Sequence, residues 1–168
     1  MQRNKRPAVV AVSGVKNSGK TTFLTHILAL LKEKGISCAV IKHDGHCFEP
    51  DVPGTDSWRL RQAGADAAAV FCDSHFMICR NRPVTAEWLI GQFSDMDLIL
   101  LEGMKNSPYQ KIEIIRSEVS SSGVCSPDTL LAIASDIKSF PTAVPKIGLC
   151  DYEKAVEIIL RYMEGSAQ

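Results

Sequence analysis

The sequence has no excess of charge of either sign. Its 168 residues include 19 Lys and Arg and 19 Asp and Glu, so the formal net charge at pH 7 is zero. Because no overall positive field draws the chain to nucleic acid or to an anionic membrane, any anion-binding site has to be local. We therefore expect neither nucleic acid nor a membrane as a partner.

Long apolar runs and paired cysteines are also missing. No stretch approaches the about 20 apolar residues of a membrane-spanning helix. The apolar segment after the basic start ends at residue 12, which is too short for the core of a signal peptide. The six cysteines include no Cys-x-x-Cys pair, and several lie in apolar segments, so we interpret them as reduced structural thiols. These absences predict a cytoplasmic protein.

Strand-like and helix-like segments alternate along the chain. Residues 8–12 are a Val-rich run typical of a buried parallel strand, and residues 21–34 repeat apolar side chains at helical spacing before Gly35. Residues 111–116 alternate charged and apolar side chains, which predicts a half-exposed strand. Other strands are predicted at 38–41, 67–71, 75–79, 98–101, 130–134 and 145–148, and other helices at 55–63, 85–93 and from 151 onward.

This alternation predicts an α/β fold. A tight turn joins the strands at 67–71 and 75–79, so these two are expected to form a hairpin. Neither an internal repeat nor a linker divides the chain. We predict a single domain over residues 1–168, with a P-loop NTPase-like three-layer fold, a mainly parallel central sheet and an antiparallel hairpin at one edge.

The clearest motif lies between the first strand and the first helix. Residues 14–21 match G-x-x-x-x-G-K-[ST] at every fixed position, and a strand and a helix are the context that this phosphate-binding motif requires. Its glycines let successive N–H groups point at phosphate oxygens, while Lys20 neutralises the β and γ phosphates and Thr21 binds Mg²⁺. We predict that a purine triphosphate is held by Gly14, Val15, Lys16, Asn17, Ser18, Gly19, Lys20, Thr21 and Thr22.

A carboxylate is needed at the end of a neighbouring strand to orient the magnesium shell. Glu102 directly follows the run 98–101, whereas Asp97 precedes it and should lie at the opposite end of the sheet, about 13 Å away. The loop after the second strand emerges at the carboxyl edge, where Asp44 can hold a metal-bound or attacking water. We predict catalytic roles for Lys20, Asp44 and Glu102, and metal binding by Thr21, Glu102 and Asp44.

Base recognition is less clearly encoded, because the guanine-reading motif N-K-x-D is absent. Ser135 and Asp136 follow the apolar run 130–134, so Asp136 can reach the carboxyl edge and accept hydrogen bonds from N1 and N2 of guanine. Adenine lacks this donor pattern. The alternative is that Asp136 only caps the following turn. We include Ser135 and Asp136 among the candidate nucleotide-binding residues.

Two other functions stay open on these residues alone. His43, His46 and the adjacent Cys47 fit a transition-metal site of a metallochaperone, although such residues are also common in polar loops near phosphates. A small-molecule P-loop kinase is the second alternative. It usually carries an arginine-rich lid, and the loop at 117–127 contains neither Arg nor Lys, which counts against the kinase.

Taken together, these segments resemble the MobB adaptor family of molybdopterin-guanine dinucleotide biosynthesis, which consists of P-loop GTPase-like proteins. The resemblance covers nearly the whole chain in the same order: 14–22, 42–46, 51–57, 101–105, 111–116 and 132–136. This chain departs from the family pattern at Thr55, Met104 and Gln110, where Lys, an aromatic residue and Pro are usual.

The resemblance implies an activity as well as a fold. A member of this family is expected to bind GTP with Mg²⁺, to hydrolyse it weakly and to form a homodimer. It is also expected to assist the molybdenum cofactor guanylyltransferase, the enzyme that couples the terminal phosphate of the cofactor to GMP. Proteins that carry molybdopterin are further candidate partners.

Overall fold

The computed structural model describes residues 6–45 and 48–165. In chain order its elements are β1 (Ala8–Ser13), α1 (Lys20–Glu33), β2 (Cys38–Lys42), α2 (Asp56–Gln62), β3 (Ala67–Phe71), β4 (Phe76–Arg80), α3 (Ala86–Gln92), β5 (Leu98–Glu102), β6 (Lys111–Ile115), a 3₁₀ turn (Pro127–Thr129), β7 (Leu130–Ser135), β8 (Lys146–Ile147) and α4 (Tyr152–Gly165). The predicted α/β fold is confirmed.

The chain divides into two compact units. We call residues 6–43 and 86–165 the sheet unit, and the described part of residues 44–85 the hairpin unit. That the two units form one domain stays a prediction. No helix in the described parts of the chain is both long and apolar enough to cross a membrane.

The sheet unit is built on six parallel strands in the order β2-β5-β1-β6-β7-β8. Successive side chains of a strand point to opposite faces, so an uninterrupted apolar strand serves two cores. On one face, alternate residues of β1, β5 and β6 pack against α1 and α4. On the other face, Ala11, Ile99 and Leu101 pack with Leu89 and Ile90 of α3. This arrangement gives the predicted three layers and explains the continuous apolar runs.

Strand β6 corrects one prediction. Its charged alternation predicted a half-exposed strand, but all five residues are buried, with Lys111 at 0% and Glu113 at 1% exposure. The ammonium of Lys111 donates hydrogen bonds to the carbonyl of Ser107 (2.7 Å) and the hydroxyl of Thr129 (3.0 Å). Burial lowers the pKa of Lys111. These hydrogen bonds offset the desolvation of the charge, so alternation with charged residues did not indicate contact with solvent here.

The hairpin unit contains α2, β3 and β4. Helix α2, predicted at 55–63, begins after Thr55, whose hydroxyl caps the helix by accepting a hydrogen bond from the amide of Trp58. Strands β3 and β4 pair antiparallel from Ala67↔Arg80 to Phe71↔Phe76. The predicted hairpin is present, and it forms a two-stranded sheet of its own instead of extending the larger sheet.

Candidate nucleotide site

The site begins with the loop between β1 and α1. Gly14 has φ +143°, and a Cβ atom there would lie 2.4 Å from the carbonyl oxygen of Ile114 and 2.9 Å from Oγ of Ser18. Gly19, at the N-cap of α1, has φ +95°, and Asn17 also has a positive φ. A side chain is therefore excluded at residue 14 by space and disfavoured at residue 19 by conformation. The glycines of the motif are required by the backbone path of the loop.

The loop delivers the chain into α1 at Lys20, so unpaired N–H groups of the first turn face the loop. The first turn of α1 carries no acidic residue. The positive end of the helix dipole therefore meets no carboxylate of its own turn. Oγ of Ser18 is buried and has no hydrogen-bond partner within the described residues. Helix N–H groups that face the loop, together with a buried hydroxyl that has no partner among the described residues, fit a phosphate ligand.

Lys20 is held within the loop itself. Its Nζ donates to the carbonyl oxygen of Val15 at 2.7 Å. Burial lowers the pKa of Lys20, and the negative charge of Glu102 opposes this shift. The ammonium is thus anchored by one neutral acceptor, which phosphate oxygens can replace with stronger, charge-assisted hydrogen bonds.

Thr21 and Glu102 meet, as the sequence predicted. Oγ1 of Thr21 donates to Oε1 of Glu102 at 2.8 Å, although the two residues are 81 positions apart in the chain. Glu102 ends β5 beside β1, and α1 begins at the same edge of the sheet. A hydroxyl and a carboxylate are the hard oxygen donors that Mg²⁺ prefers, so this pair fits a magnesium ion.

Lys42 is a site residue that sequence reasoning missed. Its Nζ lies 3.5 Å from the same Oε1 of Glu102. Strands β2 and β5 pair in parallel with Lys42 opposite Glu102, which brings the two side chains to one edge. The available signal was that Lys42 and Glu102 each directly follow a predicted strand. It was not usable without the knowledge that these two strands are neighbours.

The competing acid lies elsewhere. The carboxylate of Asp97 accepts hydrogen bonds from the amide (3.0 Å) and the hydroxyl (2.6 Å) of Ser37, which precedes β2. Asp97 is thus at the amino end of β5 and Glu102 at its carboxyl end. The predicted positions of the two acids are confirmed.

Ser135 and Asp136 lie at the carboxyl end of β7. Asp136 accepts hydrogen bonds from the amide (2.8 Å) and the hydroxyl (2.9 Å) of Ser117, which lower the pKa of its carboxyl group. The hydroxyl of Ser135 accepts a hydrogen bond from the amide of Ile137 at 3.0 Å. Asp136 therefore joins the segments that follow β6 and β7. A contact between Asp136 and guanine stays a prediction.

The candidate residues in the loop after β2 do not all lie in the same unit. Asp44 belongs to the hairpin unit, and its catalytic and metal-binding roles stay predictions. His43 closes the first segment of the sheet unit, and its amide donates to the carbonyl oxygen of Glu102. His46 and Cys47 lie outside the described residues. Within residues 6–45 and 48–165, no three His, Cys, Asp or Glu side chains are grouped to hold a metal ion.

A second polar cluster adjoins the phosphate loop. Ser13, the last residue of β1, is the register partner of Glu113. The carboxylate of Glu113 accepts hydrogen bonds from the amides of Val124 (2.5 Å) and Cys125 (3.2 Å). Burial and the negative charge of Glu113 raise the pKa of the Cys125 thiol to about 12. Glu113 thus connects the loop at 117–127 to strand β6 by two hydrogen bonds. Its position in the sequence did not reveal this role.

Similarity to known proteins identifies the family. Residues 9–136 match the family described as MobB, molybdopterin guanine dinucleotide synthesis protein B. A molybdopterin-guanine dinucleotide biosynthesis adapter protein of Haemophilus influenzae is 32% identical over 137 residues, which are 79% of this chain and 77% of that protein. A probable adapter protein of the same pathway from Bacillus subtilis is 33% identical over 165 residues, covering 95% of each chain.

A solved structure agrees with these relatives. The crystal structure of Bacillus subtilis MobB matches this fold with a TM-score of 0.76 and 32% sequence identity, covering 92% of this chain and 96% of that one. The family match and the two relatives each span most of the present sequence. The chain therefore belongs to the MobB family of molybdopterin guanine dinucleotide synthesis proteins.

Proposed function

We propose that this protein is a GTP-binding adapter of molybdopterin guanine dinucleotide biosynthesis that acts beside the guanylyltransferase and hydrolyses GTP weakly in the presence of Mg²⁺. The observation that carries the nucleotide part is the hydrogen bond between Thr21 and Glu102, 2.8 Å long, at the end of the phosphate loop. The adapter part rests on the names of the relatives from Haemophilus influenzae and Bacillus subtilis.

Each residue of the site has a part in this proposal. The N–H groups of residues 14–21 bind the phosphates, and Lys20 exchanges the carbonyl of Val15 for phosphate oxygens. Thr21 and Glu102 hold Mg²⁺, which when bound supplies positive charge to the phosphates. Glu102 is occupied as a ligand of the metal and is not free to act as a base. Slow hydrolysis is consistent with that role.

Guanine preference is the second part of the proposal. The two hydrogen bonds from Ser117 fix the carboxylate of Asp136 and favour its charged form. A fixed carboxylate at the carboxyl edge can accept from N1 and N2 of guanine, which adenine cannot satisfy. A site of this kind discriminates by roughly 1–3 kcal/mol, or about tenfold to a hundredfold in affinity.

A homodimer is the third part. In the hairpin unit, Phe71 is 83% and Phe76 is 78% exposed, and Leu60 and Ile78 are exposed as well. Exposed large apolar side chains gathered in one small unit are typical of an association surface. We assign this surface to a second copy of the chain, which sedimentation over a range of protein concentrations tests. A monomer at all concentrations would remove this part.

Calorimetric titration with Mg²⁺ and either GTP or ATP tests the nucleotide part. We expect GTP to bind more tightly than ATP, and Lys20→Ala to abolish binding while circular dichroism shows a folded protein. Unchanged GTP affinity in Lys20→Ala would contradict the phosphate site, and equal affinities would contradict base selection. A GTP preference that survives Asp136→Asn would move base reading to another residue.

Repeating the titration with the guanylyltransferase present tests the adapter role, for which we expect a measurable change in GTP affinity.

The two acids of β5 provide a matched comparison for the metal. We expect Glu102→Gln to lose most of the Mg²⁺-dependent GTP affinity, because it removes the charge beside Thr21. Asp97→Asn should keep that affinity, because Asp97 bonds Ser37 at the other end of the strand. The reverse ranking would contradict the assignment of the metal site to Glu102.

A further inference from the structure

The ion pair between Lys42 and Glu102 places an ammonium group beside the predicted metal ligands. Nζ of Lys42 is 3.5 Å from Oε1 of Glu102, the atom that also accepts the hydroxyl of Thr21 at 2.8 Å. Oε1 of Glu102 therefore contacts both the ammonium group of Lys42 and the hydroxyl of Thr21, which is a predicted magnesium ligand. A metal ion bound between Thr21 and Glu102 would lie within a few ångströms of Nζ.

The two partners of this ion pair differ in their freedom to move. The side chain of Glu102 is only 10% exposed, whereas that of Lys42 is 56% exposed. A nearly buried carboxylate needs a compensating charge, because burial penalises an unpaired ion. An exposed lysine loses little when it leaves such a pair, because its ammonium is readily hydrated. Lys42 is therefore the partner that can be displaced.

The charges around Lys42 indicate what would displace it. Lys20 is near enough that the positive charge of Lys42 contributes to lowering the pKa of Lys20. A divalent ion on Glu102 would repel both ammonium groups, and Lys42 is the more exposed of the two. A triphosphate arriving together with the metal brings the negative charge that can receive both lysines.

We propose that Lys42 is an internal counter-cation that competes with Mg²⁺ for Glu102. It neutralises Glu102 while the site holds no nucleotide, and it is displaced when a metal and triphosphate enter together. The free protein then binds divalent ions poorly, and metal affinity is gained mainly in the presence of nucleotide. This inference rests on the nucleotide site proposed above and adds Lys42 to it as a competitor of the metal for Glu102.

Binding of Mn²⁺ to the nucleotide-free protein tests the competition. Mn²⁺ reports the site by electron paramagnetic resonance, because only the free ion gives a sharp signal. We expect Lys42→Met to bind Mn²⁺ about tenfold more tightly than the unaltered protein, since it removes one positive charge at close range. Lys42→Arg keeps the charge and should retain weak binding. Lys32→Met, which removes a charge in the last turn of α1, is the matched control and should change nothing.

A second substitution locates the effect. Adding Glu102→Gln to Lys42→Met should cancel the gain in Mn²⁺ affinity, because the ion then loses its carboxylate. Equal Mn²⁺ affinity in Lys42→Met and the unaltered protein, with both folded by circular dichroism, would overturn the counter-cation role. A gain that persists in the double variant would overturn it as well, since the ion would then be bound elsewhere.

The outcome is separable from that of the proposed function. If the protein binds neither GTP nor ATP, the proposed function fails, and the Mn²⁺ comparison still decides whether Lys42 and a metal compete for Glu102. If GTP binds, the Mg²⁺ concentration that gives half-maximal GTP binding should fall in Lys42→Met. An unchanged Mg²⁺ requirement in a protein that binds GTP would overturn the role of Lys42 while leaving the nucleotide site in place.

Discussion

The sheet unit and the hairpin unit use apolar strands in opposite ways. In the sheet unit, Leu98, Ile99, Leu100 and Leu101 of β5 are all at 0% exposure, because helices cover both faces of the sheet. In the hairpin unit, the equally apolar strands β3 and β4 leave most of their side chains exposed. Apolar composition therefore indicates where burial is favourable. It does not say whether the chain itself or a partner supplies the covering surface.

This difference assigns stability and association to different regions. Burying an aliphatic side chain contributes about 1.5–3 kcal/mol, and the sheet unit contains nearly all of the buried apolar residues described. The hairpin unit has one buried apolar residue among those described, Cys79. We expect the sheet unit to dominate unfolding and the hairpin unit to dominate concentration-dependent behaviour.

The largest effect is expected from truncation in the sheet core. Leu100→Ala should lower the free energy of unfolding by about 2–5 kcal/mol, because it leaves a cavity among residues that cannot collapse freely. Ile78→Ala in β4 should change it by less than about 1 kcal/mol, since Ile78 is 62% exposed. Urea unfolding at low protein concentration measures both. Equal losses would show that the exposed hairpin contributes to the folded core after all.

A smaller difference is expected between the acids of the two units. Glu113→Ala should cost about 1–3 kcal/mol, because the partly buried amides of Val124 and Cys125 lose their acceptor. Glu49→Ala removes an ion pair in which the side chain of Glu49 is 44% exposed, and Arg61 keeps its hydrogen bond to Asn81, so this change should cost at most about 1 kcal/mol.

Unfolding by urea ranks these two variants, and a costlier Glu49→Ala would contradict the contrast between the units. Amide exchange offers a local check on the same contrast. Val124 and Cys125 should exchange faster in Glu113→Ala than in the unaltered protein, whereas Glu49→Ala should leave both unaffected.

The cysteine thiols of the two units should react with alkylating reagents at different rates. Hydrogen bonds from Ser74 and His75 lower the pKa of the exposed Cys72 in the hairpin unit, while burial raises that of Cys125 to about 12. The thiolate is the reactive species, so iodoacetamide near neutral pH should label Cys72 at least about tenfold faster than Cys125. Peptide mass spectrometry measures the order, and labelling in urea should abolish it. Faster labelling of Cys125 in the folded protein would contradict the burial of that thiol.

The smallest effect concerns acid. Hydrogen bonds from Ser117 hold the pKa of Asp136 below its ordinary value of 3.8, so the folded state binds fewer protons there than the unfolded state. The stabilisation is therefore complete above about pH 4 and is lost as the pH falls through the folded pKa. Asp136→Asn lacks it at every pH, so its melting temperature should approach that of the unaltered protein on acidification. A gap that widens towards low pH would contradict this sign.

The sequence was sufficient wherever the evidence was local. The glycine loop between β1 and α1, the short helix α2 and the position of Glu102 each follow from a few adjacent residues, and all were predicted. The burial of Lys111 and Glu113 was not, because it depends on the segments at 107 and 124–129 folding over β6. Non-local contacts of this kind leave no trace in the alternation of one strand.

The same limit explains the missing partner of Glu102. Parallel strands can be ordered in many ways, and the order that places β2 beside β5 is a property of the whole sheet. Once that order is known, the register sets Lys42 opposite Glu102. The resemblance to the MobB family was confirmed, yet it named the segment 42–46 without showing which of its side chains faces the metal ligands.

The close approach at Gly14 matters for anyone choosing an inactive variant for genetic work. A methyl group at residue 14 would lie 2.4 Å from the carbonyl of Ile114, so Gly14→Ala would push the loop away from β6 and damage folding together with binding. The phenotype of a cell that carries that allele would therefore reflect loss of the folded protein, and not specifically loss of nucleotide binding. Lys20→Ala removes a side chain whose hydrogen bond to Val15 lies within the loop, and it is the cleaner allele for asking what the bound nucleotide does.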